Sequence, residues 1–266
     1  MEIITGDKKI QQNLNRSEIQ EIVSYFQGLN ESVILREIRQ AFPQQKHLDK
    51  NLDFLVDHQV LLRQNRRYQF CLNTIEANPT IEKVEFFLHD LSADYTTEQL
   101  LVWLGEEAWN DRLEKTMAID FPLAFRNHLE NEHFRIVTIN RGGDLTATLP
   151  NYFSNVDEPA LFPELATLIG DVNPEFFMNQ IELVFDRVLS GRAPRRESIF
   201  LKSLLASGMI VSQPEWQMLI PVYEEVPSLD WTQQLDSDSR FFFARQLAER
   251  LLDKHESFTY LIKKKT

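Results

Sequence analysis

The chain has 266 residues, with 28 basic and 40 acidic side chains for a net charge of −12, 43% hydrophobic residues and 11% aromatics. That composition excludes disorder and low-complexity structure for most of the chain, and the single cysteine, Cys71, excludes both an internal disulfide and every multi-cysteine zinc motif. No apolar run approaches the roughly 18 residues of a membrane span and no basic stretch precedes an apolar one at the start, so a cytoplasmic protein with no membrane partner is expected.

Charge is spread unevenly. Up to Ile75 there are 10 basic and 9 acidic residues, and beyond it 18 basic and 31 acidic, so a nearly neutral segment precedes one near −13. Asn78-Pro79 is a turn-forming joint. Two domains are expected, 1–76 and 77–266, with different surface roles.

In the first, Ser17 and Gln20 have capping-box spacing, and Ile19, Ile22, Val23 and Phe26 fall on one helical face ending near Gly28. A second helix begins after Ser32, carries Ile34, Leu35, Ile38 and Phe42 inward and must stop at Pro43. A third, over about 46–58, buries Leu48, Leu52, Leu55 and Val56. The period then changes: 60–63 and 68–72 alternate as strands, joined by a hairpin turn at 64–67.

Three short helices followed by a hairpin resemble a winged helix-turn-helix, the third helix standing in the recognition position and the hairpin as the wing. The strings 51–59 and 65–68 are also similar to an uncharacterised family of Gram-positive bacterial proteins, a likeness that implies no function. One departure is Gln59, which stands where such modules place a glycine, and a left-handed Gln costs about 1 kcal/mol.

With its leucines inward, the third helix presents His47, Lys50, Asp53, Phe54 and Asp57 outward, and Asp49, Asp53 and Asp57 form an i, i+4 stripe that opposes a polyanion. The wing is the reverse. Arg63, Arg66 and Arg67 beside Tyr68 make a cationic patch suited to phosphates or a minor groove, whereas an exposed Phe54 suits protein docking. The candidate binding residues are therefore Phe54, Lys50, Arg63, Arg66, Arg67 and Tyr68. A plainer reading leaves the arginines solvated or paired with the surplus acids.

In the second region, helices are expected over 80–91, 96–117 (with a Thr96/Gln99 capping box) and 120–132, and strands over 134–139 and 145–149 around the turn 140–144. Asn173-Pro174 opens a helix bearing Phe177, Ile181, Val184, Phe185 and Val188 and closed by Gly191. Further helices are expected over 195–207 and 238–254, with a strand at 258–262. The fold class is mainly α with small β-hairpins. Residues 201–211 repeat the apolar spacing of 52–62, Gly208 falling opposite Gln59, which raises a second winged-helix-like unit turned by Gln213-Pro214-Glu215.

No glycine opens a phosphate-binding loop or a hydrolase elbow. Glu130 to His133 gives one E-x-x-H where a di-iron bundle needs two, so no metal is assigned. Glu85 with His89, and Glu106, Glu107 and Asp111, have the spacing of acid-base pairs but read as surface groups, and Cys71 as a half-buried inert thiol. Arg192, Arg195 and Arg196 before a helix form a second, weaker anion site. No catalytic residue or cofactor follows. The leading expectation is a non-enzymatic binding or adaptor protein with a protein partner. A DNA-binding regulator using the wing arginines is the alternative, and an enzyme with an unfamiliar helical site the third.

Overall fold

The structure, a computed structural model, describes residues 1–91, 94–229 and 235–264. It is helix-rich, 44% helical against 17% strand, as a mainly α chain with small sheets should be. The elements run β1 (Glu2–Ile4), α1 (Lys8–Leu14), α2 (Ser17–Gln27), β2 (Val33–Ile34), α3 (Leu35–Ala41), α4 (Leu48–Asp57), β3 (Leu61–Gln64), β4 (Arg67–Phe70) and β5 (Thr74–Ile75). There follow α5 (Ile81–Leu91), α6 (Thr97–Trp103), a π turn (Leu104–Ala108), β6 (Met117–Ile119), β7 (Phe125–Glu130), β8 (Phe134–Asn140) and α7 (Leu149–Ser154). The chain continues through α8 (Pro163–Ile169), α9 (Pro174–Leu189), α10 (Ile199–Ala206), β9 (Ile210–Val211), β10 (Gln217–Met218), β11 (Val222–Tyr223), α11 (Ser237–Leu252) and β12 (Ser257–Lys263).

Contacts divide the chain into two units. The first comprises Met1–Pro79, Asn110–Phe121 and Leu235–Phe241; the second Thr80–Trp109, Pro122–Gln234 and Phe242–Thr266.

In the first unit, α2 turns Ile19, Ile22, Val23 and Phe26 inward and α4 turns Leu48, Leu52 and Leu55 inward, where they meet Ile38, Val60, Leu61 and Tyr68 in one core. The helix start differs from expectation. Arg16, not Ser17, is the N-cap of α2 and makes no side-chain cap, while the Gln20 amide donates to the Leu14 carbonyl at 2.7 Å. A short strand that periodicity does not reveal, β2, pairs with β4 and completes the three-stranded sheet β2-β4-β3. Two residues cannot show an alternation, so the sequence carries no signal for it. The β3–β4 turn has Asn65 and Arg66 at φ 52° and 61°, the type I′ geometry whose twist matches the flanking strands. A separate sheet, β1-β6-β5, uses a strand from the inserted segment 110–121.

The second unit is built on the mixed sheet β11-β12-β8-β7, in which β12 lies between β8, antiparallel, and β11, parallel. Alternate residues face opposite sides. Leu129, Phe134, Ile136 and Leu261 pack on Phe177, Ile181, Phe185 and Leu204 of α9 and α10. On the opposite side Tyr260 meets the π turn, and Phe87 of α5 stacks on Trp103 of α6 at 5.4 Å and meets Phe243 of α11 edge-on.

Three expectations fail here. Residues 125–130 are a strand rather than helix because the short turn at Asn131 sends them into an antiparallel pair with β8. The expected partner strand 145–149 does not form: Leu149 begins α7, capped by Thr148, and β12 takes its place beside β8. The expected helix 96–117 ends early, since α6 loosens into the π turn and then leaves helical geometry at Trp109. The Thr96/Gln99 capping box is present, with reciprocal bonds of 3.2 and 2.9 Å, and α9 begins after Asn173 as the Asn-Pro pair requires. None of the described helices is long and apolar enough to cross a membrane.

Candidate interaction surface

The candidate surface of the first unit is the outer face of α4 together with the β3–β4 turn. Lys50, Asp53 and Asp57 are exposed, as the amphipathic spacing of α4 requires. Asp49 is turned aside into an ion pair with Arg39 at 2.7 Å, whereas Asp53 and Asp57 make no ion pair among the described residues. Phe54 is half-buried rather than exposed. Its ring packs on the core and meets His58 edge-on at 4.6 Å.

The arginines of the turn divide by role. Arg63 lies over the ring of Tyr68 at 5.3 Å, and Arg67 donates to the Ser32 carbonyl at 2.7 Å, tying the turn to the segment before β2. Arg66, at the tip, is exposed and its side chain makes no hydrogen bond or ion pair among the described residues. Tyr68 is 3% exposed, so it belongs to the core and offers only its ring, to Arg63. Residue 68 points inward because β4 alternates and its neighbours Arg67 and Gln69 point out.

Beside α4 lies a cleft of about 280 Å³, lined by Asn13, Arg16, Ile19, His47, Lys50, Asn51 and Phe54. Sequence reasoning did not single it out, because Arg16 and His47 are brought together only by the packing of α2 against α4. Asn51 is 5% exposed and its amide nitrogen has no hydrogen-bond partner. An Asn among the leucines of a helix face was the available signal.

In the second unit Arg195 and Arg196 are exposed, without ion pairs among the described residues, on a cleft of about 720 Å³ that is also lined by exposed Leu183, Asp186 and Glu197 and by half-buried Phe200. Arg192 is not part of it and bends back to the Ser190 hydroxyl at 3.0 Å. The first turn of α10 is capped by its own Ser198, which accepts from the Leu201 amide at 3.1 Å.

The second unit also contains an ionic network that runs from a buried carboxylate to the surface. Glu106, in the π turn and with its side chain 5% exposed, accepts from the Tyr260 hydroxyl at 2.9 Å and from Arg135 at 2.6 Å, and Arg135 donates on to Glu130 at 2.7 Å. Burial first, and the Glu106 charge next, hold the Tyr260 hydroxyl well above the ordinary phenol value, so it is a permanent donor. The guanidiniums of Arg126 and Arg245 lie 5.6 and 5.0 Å from the Trp109 ring centroid. Glu106 therefore departs from the surface role expected of it. The remaining candidates are on the surface: Glu85 pairs with Arg250 at 2.8 Å, and the His89 side chain is 90% exposed. Glu130 and His133 bracket the β7–β8 turn instead of sharing a helix face, and His133 contacts Glu182 at 3.0 Å. Cys71 is exposed and its thiol donates to the Gln59 carbonyl at 2.8 Å, while partial covering of the sulfur raises its pKa.

Comparison with known proteins agrees with the likeness to an uncharacterised family. The family model for a domain of unknown function (DUF1803) matches residues 2–104, less than half of the chain, and runs past Asn78-Pro79 to the start of the π turn. No curated protein and no solved structure matches the chain.

Proposed function

We propose that the chain is a non-enzymatic cytoplasmic binding protein whose residues 1–76 act as a winged helix that docks on a protein partner, with 77–266 as an acidic second domain. The order α2, β2, α3, α4, β3, β4 supports the winged-helix reading, α4 taking the recognition position. The observation that carries the docking reading is the pair of unpaired carboxylates, Asp53 and Asp57, flanking Phe54 on that helix. Placed against a phosphate backbone they are repulsive; placed against a basic protein rim with an apolar pocket for Phe54 they are complementary. A second winged-helix-like unit is part of the proposal. It rests on α10, Gly208, β9 and β10, which repeat the helix, left-handed residue and hairpin of α4, Gln59, β3 and β4.

DNA binding is the second reading, favoured by the free Arg66 at the turn tip. Titrating labelled mixed-sequence duplex at about 50 and 200 mM salt separates the two, because several phosphate contacts change affinity by orders of magnitude over that range. The docking reading expects no tight duplex complex at the lower salt. A tight complex that weakens steeply with salt and is lost in Arg66→Ala/Arg67→Ala overturns it.

A further inference from the structure

The cleft between α2 and α4 has the makings of a small-anion site, and this inference stands apart from the docking reading. Its lining holds Arg16, His47 and Lys50 and no acidic side chain, in a chain of net charge −12. Two helices begin at its wall. Arg16 is the N-cap of α2 and His47 the N-cap of α4, and neither end has a side-chain cap; in α2 the Ile19 amide turns back to the Arg16 carbonyl at 2.9 Å, and the other first-turn amides of both helices lack the acceptor a capping side chain would supply. These helices span 11 and 10 residues, long enough for their positive dipole ends to favour an anion between them.

The carboxylates nearest in sequence are engaged elsewhere or paired in place. Asp49, in the first turn of α4, reaches Arg39 at 2.7 Å, and Glu18, in the first turn of α2, holds one nitrogen of Arg16 at 2.6 Å. That pairing leaves the other guanidinium donors of Arg16 for a ligand. Asn51 is the independent sign of a missing partner. It lines the cleft, is 95% removed from solvent, and its amide nitrogen donates to nothing. A buried donor without an acceptor costs about 1–3 kcal/mol, and the soft χ2 torsion of Asn lets it turn toward a ligand oxygen.

The geometry points to a phosphomonoester-binding site in this cleft, the phosphate held by Lys50, Arg16, His47 and the Asn51 amide, and the organic part lying against Phe54 and Ile19. A dianionic tetrahedral group matches several cationic and neutral donors arriving from two helices better than a planar carboxylate does. The volume, about 280 Å³, suits a small organic phosphate. Free inorganic phosphate shares the chemistry and fills only the polar end.

Calorimetric titration of the full chain with glycerol 3-phosphate, inorganic phosphate and glycerol tests this. The expected result is saturable binding of glycerol 3-phosphate with a dissociation constant below about 1 mM, no binding of glycerol, and about tenfold weakening in Lys50→Gln. Binding of inorganic phosphate with the same Lys50→Gln sensitivity also supports the site and identifies the free ion as a ligand. Asn51→Asp should abolish binding while circular dichroism stays unchanged; if that variant does not fold, Lys50→Gln, at an exposed position, decides. No saturation by about 10 mM of either phosphate, or binding indifferent to Lys50→Gln, overturns the proposal.

Discussion

Gln59 and Gly208 occupy the same place in two helix-to-strand connections. Their φ angles are 58° and 66°, and their amides donate to the carbonyls of Val56 and Leu205 at 3.0 and 3.1 Å. The residues that follow, Val60 and Met209, donate to Leu55 and Leu204 at 2.9 and 3.0 Å before each chain enters its hairpin. Both connections need a left-handed residue, and only the second has a glycine. Gln59→Gly should therefore stabilise the first unit by about 0.5–1 kcal/mol after the added unfolded-state entropy is subtracted, and Gly208→Ala should destabilise the second by about 1 kcal/mol. Urea denaturation measures both. Loss of stability in Gln59→Gly would contradict the strain argument.

Gly105 has no room for a side chain. A Cβ there would overlap the hydroxyl of Tyr260, which is fully buried and bonded to Glu106, so the ring cannot swing aside. Gly105→Ala should cost about 1–3 kcal/mol, as overpacking of a core does, and thermal unfolding would show it. An unchanged melting temperature would mean that the π turn shifts freely.

A second buried network fixes the segment between β8 and α7. Asn151, fully buried, accepts from Asn127 at 2.9 Å and donates to Asn140 at 2.7 Å and to the Thr146 carbonyl at 2.8 Å. Asn151→Ala leaves these groups without partners in the interior and should cost about 2–4 kcal/mol, combining lost hydrogen bonds with a cavity. Denaturant titration with a probe in the second unit gives the value, and a cost under about 0.5 kcal/mol would show that water replaces the amide.

Glu130 sets an acid limit. Partial burial alone would raise its pKa, but hydrogen bonds from Lys264 and Arg135 and their charges outweigh it and lower the value to about 2 from the ordinary 4.5. A carboxylate whose folded pKa is depressed stabilises the fold above its unfolded pKa and loses that contribution as pH falls through the folded value. Stability should thus decline between about pH 4.5 and 2, and Glu130→Gln should flatten that part of the profile. The pH dependence of the urea midpoint checks it, and superimposable profiles would contradict it.

Elements with a clear period were legible in the sequence: α2, α4 and α9 carry most of their buried residues at helical spacing, whereas α11 and β12 were legible only as ranges and bury consecutive residues, Phe241 to Ala244 and Tyr260 to Ile262. The β3–β4 hairpin was legible too, since a change from period 3.6 to period 2 brackets it. What escaped depends on distant chain. β7 reads as helix by local pattern, yet β8 pairs with it on one side and with the far C-terminal β12 on the other. Phe54 and Tyr68 were both placed at the surface. The alternation of β4 would have put Tyr68 inside, while half-burial of Phe54 depends on its packing against the core. The cleft beside Asn51 is made by two helices about thirty residues apart, a relationship no local pattern encodes.

The docking reading is tested most directly by photo-cross-linking in the native cell, with a benzophenone side chain in place of Phe54 in one variant and of Arg66 in another. The account predicts a discrete protein adduct from position 54 that disappears when Asp53 and Asp57 are changed to Lys. A nucleic-acid adduct from position 66 with no protein adduct from position 54 would contradict it.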